Sequence, residues 1–454
     1  MVHCYKLGGF NIVVDSESGS IHSVDEVAFD AIRLFGYEQE EETRKQLKKI
    51  HTEITDEDIS ELLLDIRRLM QRGKLYSNEQ PSGAVRHKDK DQADVKALCL
   101  NVSHVCNMSC AYCFAGKGQY GGVGGLMDIG TGMAAIDFLL KNSIGRSNLD
   151  VDFFGGEPLL NWGVVKGIVE YARKKEQESG KKFRFTLTTN ALLIDDEVIS
   201  FSNREIHNVV LSLDGRMETH DAMRKLPGDK GSYAEILPLL KKMVEERRGK
   251  GYYIRGTYTR KNLDFATDIL HIADLGFKEL SMEPVVSKPG GEFSLEAGDL
   301  PEICRQYEIL AIEMLRRKRI GRGFNFYHYI LDLKGGPCIH KRIAGCGVGT
   351  EYLAVTPGGE LFPCHQFIGD NKFLMGDVWR GISNRLLRNE FLGNDIFSRS
   401  ECRVCWARLF CSGGCAANAY HETSSLSGVY ELGCEMFKKR LECAIMLQVA
   451  ETVK

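Results

Sequence analysis

Between residues 96 and 320, short apolar runs rich in β-branched and aromatic side chains alternate with longer stretches whose apolar positions recur every three or four residues. The short runs predict buried strands at 97–102, 151–154, 183–188, 209–213, 253–258 and 279–282. The longer stretches predict the helices between them, including 131–141, 164–175, 233–246 and 265–275, with a further helical run at 301–319. Six β/α units in succession predict an α/β fold, a parallel sheet curled into a partial (β/α)6 barrel with its chemistry at the carboxyl ends of the strands. Ahead of this region, two extended runs at 10–15 and 21–24 flank a turn containing Gly19, which is a hairpin signal. Helical periodicity follows through Val27, Ile32, Leu34 and Phe35. It resumes through Ile59, Leu62, Leu63, Ile66, Leu69 and Met70 after the capping-type run Thr55-Asp-Glu-Asp58. Hairpin and helices together predict a winged-helix-like module over 1–80, joined by a linker at 81–95 to the barrel at 96–320. A cysteine-rich domain is expected at 321–454.

Composition narrows the class of function. The chain has 454 residues, enough for two or three domains, and a formal charge of −3 leaves no basic excess for nucleic acid or anionic lipid. The runs 38–42 and 241–250 read as solvated helix faces. The start, Met1-Val-His-Cys-Tyr-Lys, carries no apolar signal segment, and no later stretch is long enough to cross a bilayer, so a cytoplasmic address is expected. Fifteen cysteines in a reducing compartment are poorly explained as disulfides. Most lie beyond Gly336 or in one loop near residue 110, which points to metal.

That loop, Cys106-Asn-Met-Ser-Cys110-Ala-Tyr-Cys113-Phe114, follows the first barrel strand. Three thiolates can hold one face of an iron–sulfur cluster, and no fourth ligand lies nearby, so one metal corner is left for a group that is not protein. A zinc or redox pair with a bystander cysteine is the plain alternative. Gly155-Gly156-Glu157-Pro158 ends the second strand, where paired glycines let backbone approach a ligand closely. Thr188-Thr189-Asn190 ends the third strand, Ser212-Leu-Asp214-Gly215 the fourth, and Glu283-Pro284 the sixth. Glu283-Pro284 either faces a substrate or simply terminates its strand.

The 3-then-2 spacing, with an aromatic before the last cysteine, resembles the cluster motif of the radical S-adenosylmethionine (SAM) enzymes. The resemblance implies that SAM chelates the open iron of a [4Fe–4S] cluster on Cys106, Cys110 and Cys113, and that its cleavage yields a 5′-deoxyadenosyl radical. It further implies that Gly155, Gly156 and Glu157 meet the SAM amino group through backbone, and that Thr188, Thr189, Asn190, Ser212 and Asp214 serve its ribose and carboxylate. Arg224, in His220-Asp-Ala-Met-Arg224, is either a counter-charge for the SAM carboxylate or a structural salt bridge, and Arg255 is a second candidate counter-charge.

Beyond the barrel, Cys346, Gly359, Cys364, Cys402, Cys405, Cys411, Cys415 and Cys434 follow the order of the SPASM extension of peptide-modifying radical SAM enzymes. Two zinc ribbons are the plain alternative for this end. The family pattern implies two auxiliary [4Fe–4S] clusters. One would take Cys402, Cys405, Cys411 and Cys434, the other Cys346, Cys364 and Cys415, its fourth position filled by Cys338 or left open to a substrate thiol. Cys4, Cys99, Cys304 and Cys443 lack partner spacing and read as packed hydrophobes.

The N-terminal module is similar to leader-peptide recognition domains, which bind a peptide as an added strand. Leader module, radical SAM core and SPASM end in this order look like the maturases of SCIFF peptides. That resemblance implies a Cys–Thr thioether crosslink installed in a cysteine-rich precursor. It also implies as partners the precursor's leader and an electron donor such as flavodoxin or ferredoxin. Sulfatase-maturase-like oxidation, epimerisation and a noncatalytic peptide-binding scaffold are the alternatives.

Overall fold

The computed structural model describes residues 1–36, 40–78, 94–122, 124–287, 289–333 and 339–452. Most of the expected linker, residues 81–93, and Cys338 lie outside them. The chain begins with an antiparallel meander of β1 (Val2–Leu7), β2 (Phe10–Asp15) and β3 (Ser20–Val24), followed by α1 (Glu26–Phe35), α2 (Glu40–Ile50) and α3 (Asp56–Gln71). β2 and β3 are the expected hairpin, and β1 adds a third strand. Helix α3 starts where Thr55 and Asp58 cap one another's backbone N–H groups. β2 is buried on both faces. Ile12 and Val14 join the main core, whereas Val13 joins a smaller one with Phe29, Leu47, Ile59 and Leu63, which accounts for the unbroken Ile-Val-Val run.

The barrel is built from β4 (Ala97–Ser103), β6 (Asn148–Gly155), β7 (Lys182–Thr189), β8 (Asn208–Ser212), β10 (Tyr252–Tyr258) and β11 (Glu279–Pro284). These are the six expected strands, each paired in parallel with the next. Helices α4 (Ile129–Lys141), α5 (Trp162–Ser179), α6 (Asp196–Glu205), α7 (Met217–Met223), α8 (Tyr233–Arg247), α9 (Phe265–Asp274) and α10 (Leu300–Arg319) connect the strands or follow the last. The short strands β5 (Ser109–Cys110) and β9 (Arg224–Lys225) form a separate pair across the barrel mouth.

The sheet continues on both sides of the six strands. β12 (Asn325–Phe326) adds to β11 in parallel. On the other side β13 (Tyr352–Val355) adds to β4 in parallel, and β14 (Glu360–Phe362), β15 (Gly376–Asp377) and β16 (Gly381–Ile382) follow antiparallel. The strand leading to Cys364 thus grows out of the sheet that carries Cys106 at the end of β4.

A long C-terminal helix, Glu431–Thr452, lies against α10 and β1 and buries Met436, Leu441, Ile445 and Met446. It fastens the N-terminal sheet. Tyr5 donates its hydroxyl to the Glu442 carbonyl at 2.9 Å, and His3 bonds the Glu442 carboxylate and stacks 3.9 Å from the Trp406 ring. A buried Arg408–Glu17 ion pair at 2.8 Å completes the seam. No helix among the described residues is long and apolar enough to cross a membrane.

Candidate active site

The end of β6 is sewn to the start of the cysteine loop by backbone. Gly156 N–H donates to Ser103 O at 2.7 Å and Glu157 N–H to Val105 O at 2.9 Å. So close an approach leaves no room for side chains. A Cβ at Gly156 would fall 2.2 Å from Val105 O, and Gly155, at φ +137°, would place one 2.2 Å from Ser103 O. The far side of the loop is held by β9, where Cys110 pairs with Arg224 and Ala111 N–H donates to Met223 O at 2.8 Å.

All three thiols, Cys106, Cys110 and Cys113, line one cavity of about 420 Å³ inside the barrel, within the ordinary range of small-molecule sites. Burial pushes the Cys106 thiol up to about 12 and Cys110 up to about 11, so as free thiols they would stay protonated and a metal would be needed to ionise them. Asn190 reaches the same loop, donating its amide to Asn107 Oδ1 at 2.7 Å. Among the described residues no three His, Cys, Asp or Glu side chains converge as ligands of one ion would. Thiolates of a tetranuclear cluster each bind a different iron and need not meet at a point.

The structure divides the residues expected to contact a cofactor into two groups. Glu157, Thr189, Asn190 and Asp214 are engaged within the protein. The Glu157 carboxylate accepts from Asn190 N–H at 2.8 Å, Leu159 N–H at 3.0 Å and the Thr189 hydroxyl at 2.8 Å. Burial still outweighs these bonds and raises it to about 7. Asp214 is fully buried, and its carboxylate accepts from the Tyr112 hydroxyl at 2.6 Å, Arg224 Nε at 3.0 Å and Thr257 N–H at 3.0 Å. It therefore stands behind the cavity wall. Of the two roles left open for Arg224, the salt bridge is present, and its guanidinium also lies 5.6 Å over the Tyr112 ring.

Thr188, Ser212 and Arg255 form the other group. They line the cavity, and their side chains make no hydrogen bond or ion pair with the described residues. Two hydroxyls and one guanidinium without a hydrogen-bonded partner among the described residues suit a ligand bearing hydroxyls and a carboxylate. Glu283 and Pro284 also reach the cavity.

The C-terminal cysteines sort into two groups. Cys415 and Cys346, with Cys99, lie near enough to Cys364 for their thiolates to oppose its ionisation, and Cys434, Cys402 and Cys405 lie so toward Cys411. Cys415 also lines the barrel cavity, beside His365, Gln366 and Asn418, so the first group opens on the same space as the Cys106 loop. Residue spacing gave no sign of that wall. Cys99 and Cys443 are buried as packed side chains.

Comparison with known proteins locates the barrel. Residues 100–258 match the family described as the Radical SAM superfamily. Radical SAM cyclopropyl synthase TigE of Paramaledivibacter caminithermalis is 20% identical over 427 residues, covering 86% of this chain and 84% of its own. Uncharacterized protein MJ0907 of Methanocaldococcus jannaschii is 28% identical over 200 residues, 42% of this chain and 62% of that protein. In fold the chain is similar to native anSMEcpe with bound AdoMet and Kp18Cys peptide, with TM-score 0.64 and 21% identity over 79% of this chain and 100% of that one. It is also similar in fold to Streptococcus suis SuiB bound to precursor peptide SuiA, with TM-score 0.54 and 16% identity over 93% of this chain and 96% of that one. The cysteine loop, the glycine pair and the cavity all fall within or around residues 100–258, the segment that matches the Radical SAM superfamily.

Proposed function

We propose that the protein is a radical SAM peptide maturase that joins a cysteine sulfur to a threonine carbon in a cysteine-rich, SCIFF-like precursor. One observation carries the reading: a single cavity is lined both by Cys106, Cys110 and Cys113 and by Cys415 of the auxiliary group. Hydrogen removal and sulfur delivery need such a shared space. Cys106, Cys110 and Cys113 would hold the SAM-binding [4Fe–4S] cluster at three corners. Bound there, cluster and SAM would supply a 5′-deoxyadenosyl radical that takes hydrogen from the threonine carbon.

The chain's own side chains would do the rest. Arg255 offers charge to the SAM carboxylate, and Thr188 and Ser212 offer hydroxyls to its polar groups. Cys346, Cys364 and Cys415 would hold the first auxiliary cluster, which would accept the second electron when the sulfur loses its proton and bonds the carbon radical, with Cys338 as fourth ligand or with that position given to the substrate thiol. Cys402, Cys405, Cys411 and Cys434 would hold the second. Residues 1–80 would bind the leader as an added strand and so raise the concentration of the core peptide at the barrel mouth. Peptides named with the fold neighbours anSMEcpe and SuiB support a peptide substrate. An electron donor of the flavodoxin or ferredoxin kind would complete the set of partners.

The test is anaerobic incubation of reconstituted protein with SAM, a chemical reductant and a SCIFF-type precursor. The expected result is 5′-deoxyadenosine together with a peptide lighter by two hydrogens and carrying one fewer free thiol. A peptide unchanged in mass despite 5′-deoxyadenosine release would point to epimerisation, and no release at all to a scaffold.

A further inference from the structure

The sixth barrel strand carries a carboxylate held from behind by two elements distant in sequence. Arg440, on the C-terminal helix, lies with Nη1 3.1 Å from His328 Nδ1. A guanidinium can only donate, so His328 Nδ1 must hold a lone pair and the ring proton must sit on Nε2. His328 Nε2 lies 3.5 Å from the Ser281 hydroxyl, its hydrogen-bond partner, and 3.2 Å from Glu283 Oε1, so its proton faces both. Oxygen Oε1 thus faces the imidazole. Oε2 has no partner within the described residues, and Glu283, 31% exposed, opens on the cavity.

Burial would raise the Glu283 carboxyl, but the N–H of His328 and the charges of Arg255 and Arg440 outweigh it and hold it low. So weak a base is a poor proton shuttle but a constant acceptor.

We propose that Glu283, oriented by His328 and Arg440, accepts a hydrogen bond from an N–H or O–H group of the peptide next to the residue that loses hydrogen. The inference rests on the peptide reading above and adds which side chain grips the substrate. Glu283 is the contact, and His328 and Arg440 are positioning residues. Because Arg255 is the neighbouring cation on β10, the cavity has separate places for a ligand carboxylate and a ligand donor.

The experiment uses the reconstituted holoprotein with a leader-bearing SCIFF-type precursor and reads peptide KM, product formed per 5′-deoxyadenosine, and iron content. In Glu283→Gln the KM rises about 10- to 100-fold, the range for a hydrogen bond to a charged group, and more 5′-deoxyadenosine is released without product. Arg440→Met moves both readouts in the same direction by a smaller factor, and Arg440→Lys, which restores a donor, recovers most of the loss. That rescue would not follow if Arg440 served packing alone. Wild-type turnover with unaltered KM and product ratio in Glu283→Gln would overturn this inference alone. A wild-type protein that leaves the precursor unmodified would overturn it together with the peptide reading. If Glu283→Gln fails to take up iron, the Arg440→Met and Arg440→Lys pair decides, and equal behaviour of the two overturns the proposal.

Discussion

Gly156→Ala is expected to abolish SAM cleavage while leaving iron uptake by the proposed auxiliary cysteine groups intact. The added Cβ would meet Val105 O at 2.2 Å, Val105 C at 2.5 Å and Cys106 N at 3.0 Å. All three are backbone atoms that cannot rotate away, so β6 must separate from the cysteine loop. That separation breaks the Gly156–Ser103 and Glu157–Val105 hydrogen bonds and shifts Cys106 relative to Thr188, Ser212 and Arg255. A displacement of about 1 Å at a reacting centre costs roughly 100-fold in rate, and here Cys106, the first of the proposed cluster ligands, itself moves. The expected yield of 5′-deoxyadenosine is therefore below about 1% of wild type. Gly163→Ala is the control. Its Cβ meets nothing within 4 Å in α5, so it should leave cleavage intact and add helix propensity.

Asp214→Ala has the largest expected effect on stability. It leaves the Arg224 guanidinium, the Tyr112 hydroxyl and Thr257 N–H without their shared acceptor, and Asp214 and the Arg224 side chain are 0% and 12% exposed. Removing one partner of such a buried pair costs about 3–5 kcal/mol, a large share of the roughly 5–15 kcal/mol that holds a domain folded. The damage also reaches the cluster site, because Arg224 pairs with Cys110 through backbone and Tyr112 belongs to the cysteine loop. Denaturant titration should show a lower midpoint with an unchanged slope, and iron bound at the first site should fall. Asp214→Asn, which keeps an acceptor, should lose less on both counts.

Legibility in the sequence follows what is local. The six barrel strands stand out because parallel strands covered on both faces read as unbroken apolar runs, and β2 stands out for the same reason. β1 does not, since His3, Cys4 and Lys6 dilute its apolar residues and its burial depends on Trp406 and Glu442 at the far end of the chain. β13 to β16 are two to four residues long and owe their existence to pairing that starts from β4, a partner some 250 residues away. The second half of the C-terminal helix is buried around α10, β1 and the barrel, so it lacks the one-sided pattern that marks a surface helix.

The site divides in the same way. Cysteine spacing and a glycine pair are patterns along the chain and can be read directly. That Thr188 is free while Thr189 is bound to Glu157 depends on which face of β7 each occupies beside β6, and no spacing expresses that. The chain from Arg440 through His328 to Glu283 joins three elements that only the folded protein brings together.

The account depends on one iron held by Cys106, Cys110 and Cys113 being open to SAM. Electron paramagnetic resonance of the reduced, anaerobically reconstituted protein, recorded with and without SAM, tests this most directly. SAM should change one component of the signal, and a protein with all three cysteines replaced by alanine should lack that component while keeping the others. A spectrum indifferent to SAM, or a wild-type protein that takes up zinc in place of iron, would contradict it.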